Sequence, residues 1–159
     1  MIELALYQPD IAPNAGSMLR MCACLGLTCR IIEPAGFLMS DSRFRRAGMD
    51  YLDQAALIRD PSWQAFRRAT AGRRSVLMTT RASLPYWDFR FHPDDVILLG
   101  RESSGVPEEV HAEVEARLTI PMRPGMRSLN VAVSAAMITG EALRQTGGFS
   151  LFGDPQAHQ

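Results

Sequence analysis

Apolar positions along the chain come in short runs, separated by stretches with helical spacing. Ile2–Tyr7 predicts a first strand, followed by a loop that holds Pro9 and Pro13. From Asn14 the period changes. Met18, Met21, Cys22 and Leu25 fall at i, i+3, i+4 and i+7, which predicts an amphipathic helix ended by Gly26. Thr28–Ile32 predicts a second strand, Ser40–Ala47 a short basic helix and Ala55–Ile58 a third strand. Pro61–Ala69 has proline at a helix start, with Trp63 and Phe66 three apart on one face. Ser75–Thr80, Val96–Leu99 and Arg117–Ile120 predict further strands. Pro107–Val114 predicts a helix whose first turn carries Glu108 and Glu109, at the end that favours negative charge. A last helix runs from about Leu129 to Gln145.

Strands alternating with helices imply an α/β fold: a mostly parallel, buried sheet with helices on both faces. One domain over residues 1–150 is expected, with a loose tail at 151–159. The last helix carries a single charge between Leu129 and Leu143, Glu141, and is otherwise apolar or small on every face. Such a helix must be covered all round, either within the monomer or by a partner subunit. Ala132, Ala135, Ala136 and Gly140 would allow close helix approach.

The composition of the 159 residues, 47% hydrophobic and 21% charged, excludes disordered and fibrous classes. No apolar run approaches the ~20 residues of a membrane span, and no secretory signal is expected. Cys22, Cys24 and Cys29 are odd in number and fit a reduced cytoplasmic protein. Their spacing lacks a fourth ligand, so packing roles and no metal are expected. All seventeen basic residues are arginine, and they balance seventeen acids. The zero sum hides segregation: residues 30–90 carry a balance of +5 and residues 91–117 a balance of −5. A basic central third suits a phosphate-binding surface, and equally a merely solvated one.

Ligands in open parallel sheets settle beyond the carboxyl ends of strands. Three segments turn abruptly there: Met78-Thr79-Thr80, Gly100-Arg101-Glu102-Ser103-Ser104-Gly105, and Pro121 through Asn130. Neither the dinucleotide fingerprint nor a P-loop is present, and His92, His111 and His158 have no nucleophile partner to make a triad. Asn14 sits at the expected N-cap of the first helix, and Ser128 could cap the last. Arg20 points away from the apolar stripe, with Gly16 one turn before it within about 40°. A long cation over a bare glycine leaves room for a ligand or another chain.

Asn14-Ala15-Gly16-Ser17-Met18-Leu19-Arg20 resembles the N-x-G-x-x-x-R first motif of the SPOUT-class RNA ribose 2′-O-methyltransferases. Gly100 through Pro107 resembles their second motif, G-x-E-x-x-G-x-P, and Ile120-Pro121-Met122 with Ser128-Leu129-Asn130-Val131 resembles the third. Glu33-Pro34-x-Gly36-Phe37 and Arg45-Arg46-Ala47-Gly48-x-Asp50-Tyr51 are similar to the subgroup that methylates the tRNA wobble nucleotide. Where wobble-type relatives often carry an aromatic before the Glu of the last helix, this chain has Gly140.

The resemblance implies an α/β SPOUT fold with a C-terminal trefoil knot. It also implies S-adenosylmethionine as cofactor, with S-adenosylhomocysteine as product and no metal. Met78, Thr79, Gly100, Arg101, Ile120, Met122, Ser128 and Leu129 are the implied cofactor residues. The implied catalytic set is Arg20 at the ribose 2′-oxygen, with Asn14, Glu102, Ser128 and Asn130 holding it and the loops, Glu102 as its counter-charge. The implied partners are the tRNA anticodon loop and a second copy docked through the first and last helices, in the cytoplasm and away from membranes. The same chemistry at another tRNA or ribosomal RNA position, or a non-catalytic RNA-binding domain of this fold, are the alternatives. Arg43, Arg45, Arg46, Arg67, Arg68, Arg73, Arg74, Arg81 and Arg90 are candidate phosphate contacts, and Tyr86 and Trp87 candidate stacking platforms.

Overall fold

Six strands form one sheet in the order β3-β2-β1-β5-β4-β6, every neighbouring pair parallel. They are β1 (Glu3–Tyr7), β2 (Thr28–Ile32), β3 (Ala56–Asp60), β4 (Ser75–Met78), β5 (Val96–Leu99) and β6 (Ala116–Leu118). Five α-helices alternate with them: α1 (Ala12–Cys24), α2 (Ser42–Gly48), α3 (Trp63–Ala69), α4 (Glu108–Glu113) and α5 (Val131–Thr146). The computed structural model describes residues 1–49, 51 and 54–152. Asp50 of the wobble-type motif and most of the expected tail, 153–159, lie outside the described residues. The tail's first two residues close a 3₁₀ turn, Gly148–Phe152.

The period-2 alternation of each strand sorts side chains to two cores. Leu4, Leu6, Ile97, Leu99 and Val76 face a core built with α1, α2 and α5, through Met18, Leu19, Phe44 and Ile138. Ala5, Tyr7, Val96, Leu98 and Leu77 face a second core built with α3 and α4, through Trp63, Phe66 and Val110. Cys22 and Cys29 are buried in the first of these cores and Cys24 is exposed; all three thiols are free. Among the described residues no helix is long and apolar enough to cross a membrane.

Two helix starts differ from the sequence expectation. Helix α1 begins at Ala12 with Pro13 in its first turn and Ile11 at the cap, where no side chain bonds. Asn14 therefore lies inside the first turn and is not the N-cap. Helix α5 begins at Val131, and Asn130, not Ser128, caps it: its side chain accepts from the amides of Ala132 and Val133. Ser128 lies too early in the chain to take that position.

Helix α5 is half covered by its own chain. Ala135, Ile138, Thr139, Ala142 and Leu143 are buried, while Val133 is 49% and Met137 38% exposed.

Candidate functional site

Strands β4, β5 and β6 stop side by side, and their exits enclose a cavity of about 520 Å³. Met78 and Thr79 reach it from β4, Gly100, Arg101 and Glu102 from β5, and Ile120 and Met122 from β6. Ser128, Leu129 and Asn130 close it ahead of α5, and Asn14 reaches it from α1. All eight expected cofactor residues thus line one space, together with four of the five in the catalytic set.

The rim is held by side-chain amides and carboxylates. Asn14 Nδ2 donates to Glu102 Oε1 at 3.3 Å, and Asn130 Nδ2 donates to Asn14 Oδ1 at 3.0 Å. The backbone amide of Asp10 donates to Glu102 Oε2 at 3.1 Å, and that of Glu102 donates back to Asp10 Oδ1 at 3.2 Å. Ser103 Oγ also donates to the Asp10 carboxylate. Burial, with the neighbouring Asp10 adding to it, pushes the Glu102 carboxyl above the usual carboxylate range. The Glu102 carboxyl, a donor when protonated, holds Asp10 down at about 2.

Glycine shapes the turn after β5. Arg101 and Gly105 exchange backbone hydrogen bonds of 3.0 and 2.9 Å. A Cβ on Gly100 would lie 2.9 Å from the Gly105 backbone, and Gly105 itself has φ +68°. The Arg101 side chain reaches Gln8 at 3.5 Å and Asp10 at 3.7 Å, and its Nε is buried without a hydrogen-bond partner.

Arg20 stands apart from this cavity. It is exposed, and its Cζ lies 5.5 Å from the ring centre of Tyr51. Among the described residues it has no carboxylate partner. Glu102, the expected counter-charge, is instead bonded by Asn14 and Asp10, because the first turn of α1 and the loop before it bring those two to the β5 exit. The room expected over Gly16 is also taken. A Cβ there would lie 2.5 Å from Phe44 O and 2.8 Å from Ala47 Cβ, so α2 fills the space.

Sequence reasoning passed over Asp10 and the lining residues Ile11, Thr119, His111 and Ser134, whereas Thr80 lines the cavity at the strand exit where the sequence placed it. Thr119 and Ile11 follow strand ends, so the rule that located the cavity also reaches them. His111 is buried on α4, and its imidazole pKa is lowered, chiefly by desolvation.

Of the candidate phosphate contacts, Arg43, Arg67, Arg73, Arg74 and Arg81 are engaged by Asp41, Glu115, Glu3, Asp95 and Glu108. Arg45, Arg46, Arg68 and Arg90 have no carboxylate partner among the described residues. Trp63 and Phe66 are buried, whereas Trp87 is 51% exposed and packs edge-on against Tyr86. His92, Asp94 and Asp95 lie close enough to share a cation, but Asp95 is already bonded by Arg74 and by the His92 amide, and none of the three lines the cavity.

A parallel α/β sheet with a cavity where its strands end defines a protein that binds a small molecule at the strand termini. Residues 1–140 match the SpoU rRNA Methylase family, and the chain belongs to that family. It is 66% identical over 146 residues, 91% of either chain, to a protein of Beijerinckia indica named tRNA (cytidine(34)-2′-O)-methyltransferase. The protein of that name in Escherichia coli K12 is 35% identical over 149 residues, 92% of this chain and 95% of that one. A solved structure concerned with 2-OH methylation of C/U34 on tRNA superposes with a TM-score of 0.88 at 41% identity, covering 91% of this chain and 95% of that chain. The methyltransferase AviRb of Streptomyces viridochromogenes, solved with AdoMet, superposes with a TM-score of 0.79 at 25% identity, covering 91% of this chain and 60% of that chain.

Proposed function

We propose that this protein transfers a methyl group from S-adenosylmethionine to the ribose 2′-oxygen of the wobble nucleotide, position 34, in the tRNA anticodon. The observation that carries this reading is convergence: Asn14, Glu102, Ser128 and Asn130, drawn from three separate motifs, line one cavity at the strand ends. Relatives and a solved structure that match over nine-tenths of the chain supply the nucleotide: cytidine 34 in the names of the relatives, C/U34 for the structure.

The cavity fits the cofactor by size, since pockets of roughly 300–1,000 Å³ take ligands of that class. Ile120, Met122 and Leu129 give apolar cover, and the backbone at Met78, Thr79, Gly100 and Arg101 supplies polar groups. S-adenosylmethionine brings an already activated methyl group, so positioning is the protein's main task. Arg20 orients the 2′-hydroxyl and an adjacent phosphate through its planar fork. A guanidinium keeps its proton in neutral water, so Arg20 is not a full base and the hydroxyl proton passes late to solvent water.

Arg20 lies outside its own chain's cavity, and this favours a homodimer. Val133, Ala136 and Met137 are exposed on α5, the helix that packs against α1, and a second copy docked on these two helices covers them and brings Arg20 to the interface. A C-terminal trefoil knot belongs to this reading through the SPOUT family; next to the cavity, Thr79 donates to Leu118, Thr119 to Leu84 and Tyr86 to Thr119, so residues 118–119 run alongside the 79–86 segment. Residues 1–150 act as one domain, working in the cytoplasm where tRNA is modified.

Methyl transfer from labelled S-adenosylmethionine into bulk tRNA, with the modified nucleotide mapped, tests the reading. Label at the position-34 ribose is expected. Label at another tRNA or ribosomal position moves the substrate, and no label in any RNA leaves a binding domain.

A further inference from the structure

We infer that Asp10 is a positioning residue for methyl transfer, fixing Glu102 and through it Asn14 and Asn130 at the cavity rim. The inference rests on the activity proposed above. Asp10 precedes the first motif, does not line the cavity, and spends its polar atoms on the turn after β5. It gives its backbone amide to Glu102 and takes the Glu102 amide in return, across 92 positions of chain. Its carboxylate also accepts from Ser103 and sits 3.7 Å from Arg101 Nε. Reciprocal bonds of this kind fix one backbone against the other, because the turn cannot slide without breaking both.

Asp10 is held from behind as well. The Gly36 amide donates to Pro9 O at 2.8 Å, and a Cβ on Gly36 would come within 2.9 Å of Asp10 Cα. Only glycine there lets the two loops close on each other. From Glu102 the chain of bonds continues through Asn14 to Asn130, which caps α5. The charged group facing Glu102 is Asp10 from the β1–α1 loop, whose carboxylate has Arg101 Nε 3.7 Å away, while α1 presents the neutral amide of Asn14, itself bonded by Asn130. Burial and Asp10 together raise the Glu102 carboxyl, so Asp10 also sets the pH at which Glu102 becomes the ionised acceptor that Asn14 meets.

Asp10→Asn keeps the shape and removes the charge. Its kcat should fall about tenfold. KM for S-adenosylmethionine should stay within about twofold, because Asp10 does not touch the cavity. With the like charge gone, the acid limb of the rate profile should move to lower pH. Asp10→Glu, which restores the charge, should recover most of the rate. Combining Asp10→Asn with Glu102→Gln should cost no more than Glu102→Gln alone. A folded Asp10→Asn with wild-type kcat and an unmoved acid limb, or a double variant whose loss is the product of the two single losses, overturns the inference. If Asp10→Asn does not fold, Ser103→Ala decides: loss of that donor should lower kcat about threefold at unchanged melting temperature, and a wild-type rate overturns the role. A wild-type chain that methylates no tRNA overturns the activity and this role together. An active wild type beside an unaltered Asp10→Asn overturns this role alone.

Discussion

Asn130 Nδ2 donates to Asn14 Oδ1 at 3.0 Å and so ties together two helix starts that lie 116 positions apart. The same side chain accepts through Oδ1 from the amides of Ala132 at 2.8 Å and Val133 at 3.3 Å. One amide thus serves two purposes that a carboxylate cannot combine, since a carboxylate only accepts. Asn130→Asp keeps the cap, and its charge suits the helix N-terminus, but it has nothing to give Asn14. It should melt at or above the wild-type temperature yet lose more than about tenfold in methyl transfer. Asn130→Ala should lose the transfer and also about 1 kcal/mol of stability. Thermal melts beside methylation rates separate the two, and a fully active Asn130→Asp would leave the Asn14 bond without a role.

Gly16 is needed for contact between helices. A Cβ there would meet Phe44 O at 2.5 Å, and the carbonyl belongs to a backbone that cannot swing aside. Gly16→Ala should cost about 1–3 kcal/mol, the usual range for overfilling a packed contact, although alanine favours helices. Urea denaturation reads the cost. Stability equal to or above wild type would show that α1 and α2 can part freely.

Val96–Leu99 is legible to the residue because it is an unbroken apolar run between Asp95 and Gly100, and Thr28–Ile32 because Thr28, Ile31 and Ile32 favour a strand despite Arg30 and Pro34 stops it. The cavity was legible for a similar reason: strand ends are local signals, and the motifs sit on them. Helix starts were less so. Asn14 looks like a cap, but Pro13 is well suited to a first turn, and the helix begins two residues before Asn14, at Ala12, with Ile11 at a cap position that makes no side-chain bond. What no local pattern carries is pairing between distant elements. Asp10 meets Glu102 across 92 positions, and Arg67 meets Glu115 across 48. That is why an arginine-rich segment reads as one basic surface in the sequence, whereas seven of the eleven arginines in residues 30–90 are spent on ion pairs within the fold.

Arg30 shows the stability side of such pairing. It is 7% exposed on β2, with Nε 2.7 Å from Glu3 on β1 and Nη1 3.0 Å from Asp60 on β3, a carboxylate 4% exposed. Arg30→Met should cost about 3–5 kcal/mol, mostly by leaving Asp60 buried without its partner. For Glu3, burial raises the carboxyl, but the bonds from Arg30 and Arg73 outweigh it and the net shift is downward. This contribution is therefore present above the ordinary value of 4.5 and is lost as pH falls below it. Stability measured by urea from neutral pH to pH ~3 should fall less steeply in Arg30→Met than in wild type. Equal slopes would mean that Arg73 alone holds Glu3.

Free and paired arginines should part company in RNA binding. Arg45 and Arg46 lie on α2 without carboxylate partners among the described residues, beside the helix that carries Arg20. Arg74 is spent on Asp95, a carboxylate 0% exposed, through bonds of 2.8 and 2.7 Å. Removing one phosphate-binding arginine should reduce the slope of log affinity against log salt by about 0.7–0.9. Arg45→Ala with Arg46→Ala should then weaken tRNA binding at low salt and flatten the salt dependence by roughly twice that amount, without loss of melting temperature. Arg74→Ala should do the reverse, lowering the melting temperature by exposing the cost of a buried, unpaired Asp95 while leaving the salt slope unchanged. Filter binding over a salt series, with melts of the same preparations, measures both. A double Arg45/Arg46 variant that keeps the wild-type slope would remove α2 from the RNA path and leave Arg68 and Arg90 as the remaining unpaired candidates of the central segment.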